Sequence, residues 1–203
     1  MIDWNQYPEL NRMWETRGTR FCCHARLTRT NVWITYAIAT GSAYVIFLSM
    51  LGVLNLHAFS AEDYKIINIG SVFISVVIIF LSLIEGAKNY TLRAEAMHQC
   101  AREITAVYHR AEAKIKNVPG CALADISAEV VAYDAVVDKY HFNHDRLDFL
   151  IFRAENPKVY KCGYPMIGGV WLLRVVCTYG AFAFVLVSVP AFLAAIVLVV
   201  NRY

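Results

Sequence analysis

The sequence predicts an all-α membrane protein: two N-terminal transmembrane helices, a cytoplasmic antiparallel helical hairpin, and a third, C-terminal transmembrane helix. Three observations predict it. Residues 32–54, 66–84 and 175–200 contain no charged side chain. The whole chain of 203 residues is 58% hydrophobic and 17% charged, with mean hydropathy +0.44, where a soluble domain carries about a quarter charged residues. Most of the charges fall between residues 85 and 161, where apolar residues recur at spacings of three and four. A spanning helix needs about 20 apolar residues, because the hydrocarbon is about 30 Å thick and each helical residue rises about 1.5 Å. All three blocks reach that length or come within a residue of it.

Residues 1–31 read as a cytoplasmic or interfacial segment. The apolar block behind them begins too deep in the chain, and after too many arginines, to be a cleavable signal peptide. Arg12, Arg17, Arg20, Arg26 and Arg29 precede the first span, whereas the connection 55–65 offers Lys65 against Glu62 and Asp63. The bias toward positive charge inside therefore places the N-terminus in the cytoplasm. Residues 32–84 form the first helix pair. Trp33 and Tyr36, Tyr64, and Tyr164 with Trp171 mark the expected headgroup levels.

Residues 85–157 form the hairpin. Ala87, Tyr90, Ala94, Met97, Ala101, Ile104, Tyr108, Ala111, Ile115 and Val118 follow a coiled-coil seam, and Ile126, Val130, Tyr133, Val137, Tyr140, His144, Leu147 and Ile151 repeat it beyond Val118-Pro119-Gly120. The Pro-Gly pair ends one helix, and Asp125 or Ser127 caps the next. No breaker separates Ile84 from Glu85, so span two is expected to continue into the first hairpin helix as one rod of about 50 residues. Residues 158–203 hold an interfacial entry over 164–174, with Arg174 reaching back to the surface, and then the third span, which Pro190 should kink. A pair of half-helices re-entering from one side is the competing form of this segment.

Polar residues inside the spans form stripes. Asn68, Ser71, Ser75 and Ser82, with Glu85 next on the same face, mark span two; Thr35, Ser42 and Ser49 mark span one. Polar groups in lipid need partners, so these faces should meet protein or water. Two readings stay open: the stripes are the contact between spans one and two, or the stripe on span two lines a pore once several copies assemble.

In a hairpin turning near Cys121, positions whose numbers add to about 242 face each other. His98 then lies near His144, Arg93 and Ala94 near Asp148, and Arg102 opposite Tyr140. The resulting set of Arg93, His98, Asn143, His144 and Asp148 reads first as a buried polar network fixing register. A proton switch or ligand contact is the alternative. Metal binding through His98, Cys100 and His144 is disfavoured, because the spacing fixes no tetrahedral set; Cys22, Cys23 and His24 read first as an interfacial helix turn, with zinc binding as the alternative.

Cys22, Cys23, Cys100, Cys121, Cys162 and Cys177 include no CxxC pair and are expected to be reduced. No hydrolase, metalloprotease, Walker or dinucleotide motif is present, so no catalytic residue and no cofactor is assigned. A net charge of +3 is too mild and dispersed for a nucleic-acid groove.

The stretch SLIEGAKNYTLRAEAMHQCAREI from Ser82, the stretch YDAVVDKYHFNHDRLDF from Tyr133 and the segment from Arg26 to Asn31 together resemble the SLATT proteins, two-span membrane effectors of prokaryotic conflict systems. The resemblance covers about the first three quarters of the chain, and its most specific piece is the NHxxxD pattern at Asn143, His144 and Asp148. It implies a homo-oligomeric effector in the bacterial inner membrane that forms a pore or disrupts the bilayer, with a cytoplasmic sensor or reverse transcriptase as partner. Arg93, Glu95, His98, Asn143, His144 and Asp148 match its patterned positions. The third apolar block departs from a two-span pattern.

Overall fold

The structure is a computed structural model that describes residues 7–54, 60–117 and 123–200. Every regular element in them is helical: α1 (Pro8–Leu54), α2 (Ala61–Lys88), α3 (Tyr90–Asn117), a 3-10 turn (Leu123–Ile126), α4 (Ser127–Lys139), α5 (Arg146–Glu155), the single turn α6 (Pro157–Tyr160) and α7 (Tyr164–Val200). Three helical stretches are long and apolar enough to cross a membrane: Pro8–Leu54, Ala61–Asn117 and Tyr164–Phe192. The chain divides into two compact units, each assembled from separate stretches. Met1–Thr28 joins Tyr90–Arg174 in the first, and Arg29–Asn89 joins Val175–Tyr203 in the second.

In the first unit the predicted seam of α3 is buried from Tyr90 to Ala111, and Cys100 and Val107 are buried with it. The extra positions widen a two-helix seam into a face that takes two neighbours. Those neighbours are the 3-10 turn and α4, through Ile126 and Tyr133, and the first half of α1, through Leu10 and Met13. Leu10 and Met13 are fully buried, and each contributes on the order of 1.5–3 kcal/mol by leaving water. Residues 8–28 are therefore a packed core helix of this unit, within the segment read from the sequence as cytoplasmic or interfacial.

The pairs Lys114–Glu129 (2.8 Å) and Lys139–Glu103 (2.6 Å) put α3 and α4 antiparallel in the expected register. The turn itself, with Val118, Pro119, Gly120 and Cys121, lies outside the described residues. The second seam does not run on to Ile151 in one helix. It stops at Lys139, and residues 140–145 are non-helical. Asp145 then starts α5 as its N-cap, its backbone N–H donating to Asp148 Oδ2 at 2.9 Å. The cause is local: Asn143 and Asp145 favour caps and turns over helix interiors. Ile151 consequently packs with Ala154 and Val170, in a separate cluster flanked by Cys22 and Leu147.

The expected unbroken rod is interrupted once. Asn89 adopts the left-handed conformation (φ 47°, ψ 49°) and caps α2, its N–H reaching Glu85 O, and α3 restarts at Tyr90. Asparagine tolerates this region better than most residues with a Cβ, which lets it end a helix where no glycine stands.

In the second unit α1 and α2 run antiparallel. Thr35 Oγ1 donates to Glu85 Oε1 at 3.3 Å, a Cβ on Gly41 would meet Ile78 at 3.0 Å, and one on Gly52 would come 3.9 Å from Asn68 Oδ1. Leu48, Ile67 and Ile74 form the core of this pair, with Phe192 of α7 packed against it. Trp33 meets Tyr179 and Phe182 edge-on or tilted, with centroids 5.0 and 4.9 Å away. Helix α7 is continuous through Pro190, so the re-entrant pair of half-helices is not formed.

Candidate functional site

The most concentrated chemistry lies in the first unit, where α1, α3 and the 140–145 linker enclose a set of polar side chains. Asp148 is fully buried. Arg26 binds it with two hydrogen bonds, Nε to Oδ1 at 2.6 Å and Nη2 to Oδ2 at 2.9 Å, and Nη2 also reaches Asp145 Oδ2 at 2.6 Å. A planar guanidinium fits a carboxylate in this fork geometry, and the charge assistance makes such bonds roughly twice as strong as neutral ones. Burial works against the Arg26 charge, but the bonds to Asp148 and Asp145 outweigh it and push its pKa up. Asp148 thus meets Arg26 of α1, and the expected approach to Arg93 is replaced. The sequence had counted Arg26 only as a topological charge.

One turn earlier on α1, Cys23 is buried against Asp148, and its thiol is pushed up to about 12 by burial and then by that carboxylate. Cys22 is pushed to about 12 as well, by burial and by Glu155. Both thiols stay protonated at neutral pH, which makes them poor nucleophiles. Arg20 is almost fully buried and donates from Nη1 to Cys100 Sγ at 2.9 Å, while its Nε has no partner. His24 Nδ1 sits 3.0 Å from the Ala94 carbonyl and so donates to it. The ring of His24 lies 4.6 Å from that of His98, which also meets Phe21 edge-on. The reading of Cys22, Cys23 and His24 as an interfacial turn therefore gives way to a core position.

The other predicted members make contacts of their own. Arg93 lies 5.9 Å over the Phe142 ring with its Nε unpartnered. Asn143 Oδ1 accepts from the His144 N–H at 2.9 Å. Glu95 is exposed and accepts from Gln99 on its own helix. Arg102 does not take Tyr140, whose hydroxyl donates to Glu103 at 2.8 Å; Arg102 lines a shallow surface groove with Gln99, Glu103 and Ala106. The bonds from Lys139 and Tyr140 hold the Glu103 carboxyl below its ordinary range. Among the described residues no three His, Cys, Asp or Glu side chains converge as a metal set.

Burial, and then Arg20, lowers the pKa of His144, while Asp148 and Asp145 oppose. A lowered pKa means that the folded state favours neutral imidazole. The stabilisation is complete above the unfolded value of about 6.5 and is lost as pH falls from there through the folded value. Thermal melts of the solubilised protein should therefore drop between pH 7.5 and 5, and His144→Asn should flatten that dependence. An unchanged slope in the variant would show that other groups set it.

In the second unit the stripes are largely self-satisfied. Ser42, Ser49, Ser75 and Ser82 each donate to the carbonyl four residues earlier, at 2.8–2.9 Å, and Thr35 does so to Asn31. A hydroxyl bonded to its own helix needs no outside partner in lipid. Ser71 and Ser75 are half-buried, whereas Asn68 and Ser82 are exposed.

A multi-span helical membrane protein with a separate polar helical unit is the class these features define. Residues 6–200 match the family described as SMODS and SLOG-associating 2TM effector domain family 5, and the chain belongs to this SLATT family. The match reaches beyond the expected three quarters and takes in α7, so the third apolar helix lies within the family domain. No curated protein and no solved structure matches the chain.

Proposed function

We propose that the chain is a defence effector of the bacterial inner membrane, N-terminus in the cytoplasm, that assembles into a homo-oligomer and breaches the bilayer when a cytoplasmic sensor engages its first unit. The observation that carries this reading is the single helix α1. It runs unbroken from Pro8 to Leu54, about 70 Å at the helical rise. Its first half is bound to the first unit's core through Arg26 and Asp148, and its second half is the first span. A rearrangement at Asp148 acts on the helix whose later residues are the first span. The family supports the effector role; the five arginines before the span support the orientation.

Expression in bacteria with simultaneous recording of membrane potential and dye entry tests it. At high expression assembly should no longer need the sensor, so depolarisation should track the amount of inserted protein, and Ser71→Leu with Ser75→Leu should reduce it at least several-fold if this face lines the path. A steady potential at full insertion, with cells still growing, sinks the proposal.

A second reading, a non-conducting anchor that docks a cytoplasmic partner, is favoured by one observation. The facing stretches of α1 and α2 already hydrogen-bond Thr35 to Glu85 and bring Gly52 close to Asn68 within one copy, and the serines bond to their own helices. Recruitment of a partner at unchanged potential is the result this reading requires.

A further inference from the structure

Among the described residues of the first unit, large apolar side chains exposed to solvent concentrate in one place. Val159 is 51% exposed, Tyr164 92%, Leu172 65% and Leu173 52%, with Trp171 beside them. All five belong to α6 or to the opening turns of α7. Elsewhere in that unit such residues stand singly, as Leu92 and Val131 do, which is ordinary for a protein surface.

Two lysines stand in the same stretch. Lys158 and Lys161 are exposed, and residues 156–203 contain no aspartate or glutamate at all. The nearest carboxylate in sequence, Glu155, is taken by Arg174 Nη1 at 3.0 Å, whose guanidinium lies 4.6 Å over the Trp171 ring. Arg174 is therefore paired, where the sequence had it reaching for the lipid surface. Among the described residues neither Lys158 nor Lys161 has an ion pair.

An apolar aromatic surface bordered by two unpaired ammonium groups, on a helix that continues as a span, has the chemistry of the lipid interface. Tyrosine and tryptophan settle at headgroup depth, and lysines beside them attract anionic lipid. We propose that α6 and the opening of α7 form a docking site for an anionic phospholipid, Lys158 and Lys161 binding the headgroup phosphate while Val159 and Tyr164 enter the apolar boundary. A protein partner fits less well, because that stretch holds no carboxylate to pair with a basic partner and it adjoins a membrane-spanning segment. The site does not depend on whether the assembled protein conducts.

Native mass spectrometry of the full chain in detergent tests this, with phosphatidylglycerol or phosphatidylcholine of identical acyl chains as the probe. Wild type should retain phosphatidylglycerol in preference. Lys158→Gln with Lys161→Gln should weaken that retention about 30-fold, since each lysine near an anionic surface contributes about fivefold, and should leave phosphatidylcholine unchanged. Arg110→Gln with Lys116→Gln removes the same charge elsewhere on the unit and should leave phosphatidylglycerol retention intact. Circular dichroism and elution volume establish that each variant is folded. Equal retention of the two lipids by wild type, or equal loss in both double variants, overturns the proposal. A changed number of copies per particle at constant lipid retention overturns it too, and assigns the surface to a contact between chains.

Discussion

Replacing Asp148 by alanine should lower the stability of the first unit by about 3–5 kcal/mol, the range for stripping one partner from a buried ion pair. The carboxylate is fully buried, and it meets three demands at once: both arms of Arg26 and the backbone N–H of Asp145. Its loss leaves a guanidinium only 11% exposed with Asp145 alone to balance it. It also frees the start of α5. Set against a total stability of about 5–15 kcal/mol, that is a large part of the margin, and the melting midpoint should fall by roughly 10 °C. Removing Arg26 as well should cost less than the two single changes added together, because neither charge is then stranded. Thermal melts of the four proteins in one detergent decide it. Additive single effects, or an Asp148→Ala midpoint equal to wild type, would show that the pair does not hold α1 to α5. Under the effector reading, Asp148→Ala should also change the depolarisation per inserted molecule.

Gly18→Leu should be nearly as damaging, for a steric reason. A Cβ on Gly18 would clash with Cε2 at the edge of the Phe152 ring, with Cδ2 and Cζ only 2.6 and 2.7 Å away. That ring has little freedom: Phe152 is 5% exposed, Trp14 meets it edge-on at 4.8 Å and Tyr160 at 6.0 Å. The hydroxyl of Tyr160 in turn donates to Glu15 Oε1 at 2.7 Å. Overpacking of this kind costs about 1–3 kcal/mol, and more for a leucine than for an alanine. A smaller neighbour should relieve it, so Gly18→Ala joined to Phe152→Leu should melt above the value expected from adding the two single changes. If Gly18→Leu melts with wild type, α1 and α5 are not in the close contact described.

Periodicity made the spans and the α3 seam legible, because burial of one face repeats every three to four residues whatever the partner is. It also gave the α3–α4 register, once Pro119 and Gly120 marked a turn. What periodicity does not encode is which distant stretch fills a face. The burial of Cys100 and Val107 beside the seam was the trace of a third helix. Leu10 and Met13 supplied the matching contact, three residues apart on one helix face. The arginines around them obscured it. Arg12 pairs with Asp134 at 2.6 Å, Arg17 lies 4.5 Å over the Tyr108 ring, and Arg26 takes Asp148, so charges that looked like topology signals also serve tertiary structure. The ends of helices were less legible still. Asn89 and Lys161 both turn left-handed without a glycine, and a single asparagine or lysine carries little warning of that.

The first unit is made from Met1–Thr28 and Tyr90–Arg174, with the hydrophobic stretch Arg29–Asn89 between them. During synthesis the opening helix must therefore wait, its leucine and methionine contacts unmade, while two hydrophobic segments leave the ribosome and enter the bilayer. Domains commonly mature from the N-terminal end as they emerge; this one becomes complete only when translation has passed Arg174 and the last apolar stretch is still to be inserted. A nascent chain stalled before α5 should have membrane segments in place and a protease-sensitive beginning, so insertion precedes maturation of the polar unit.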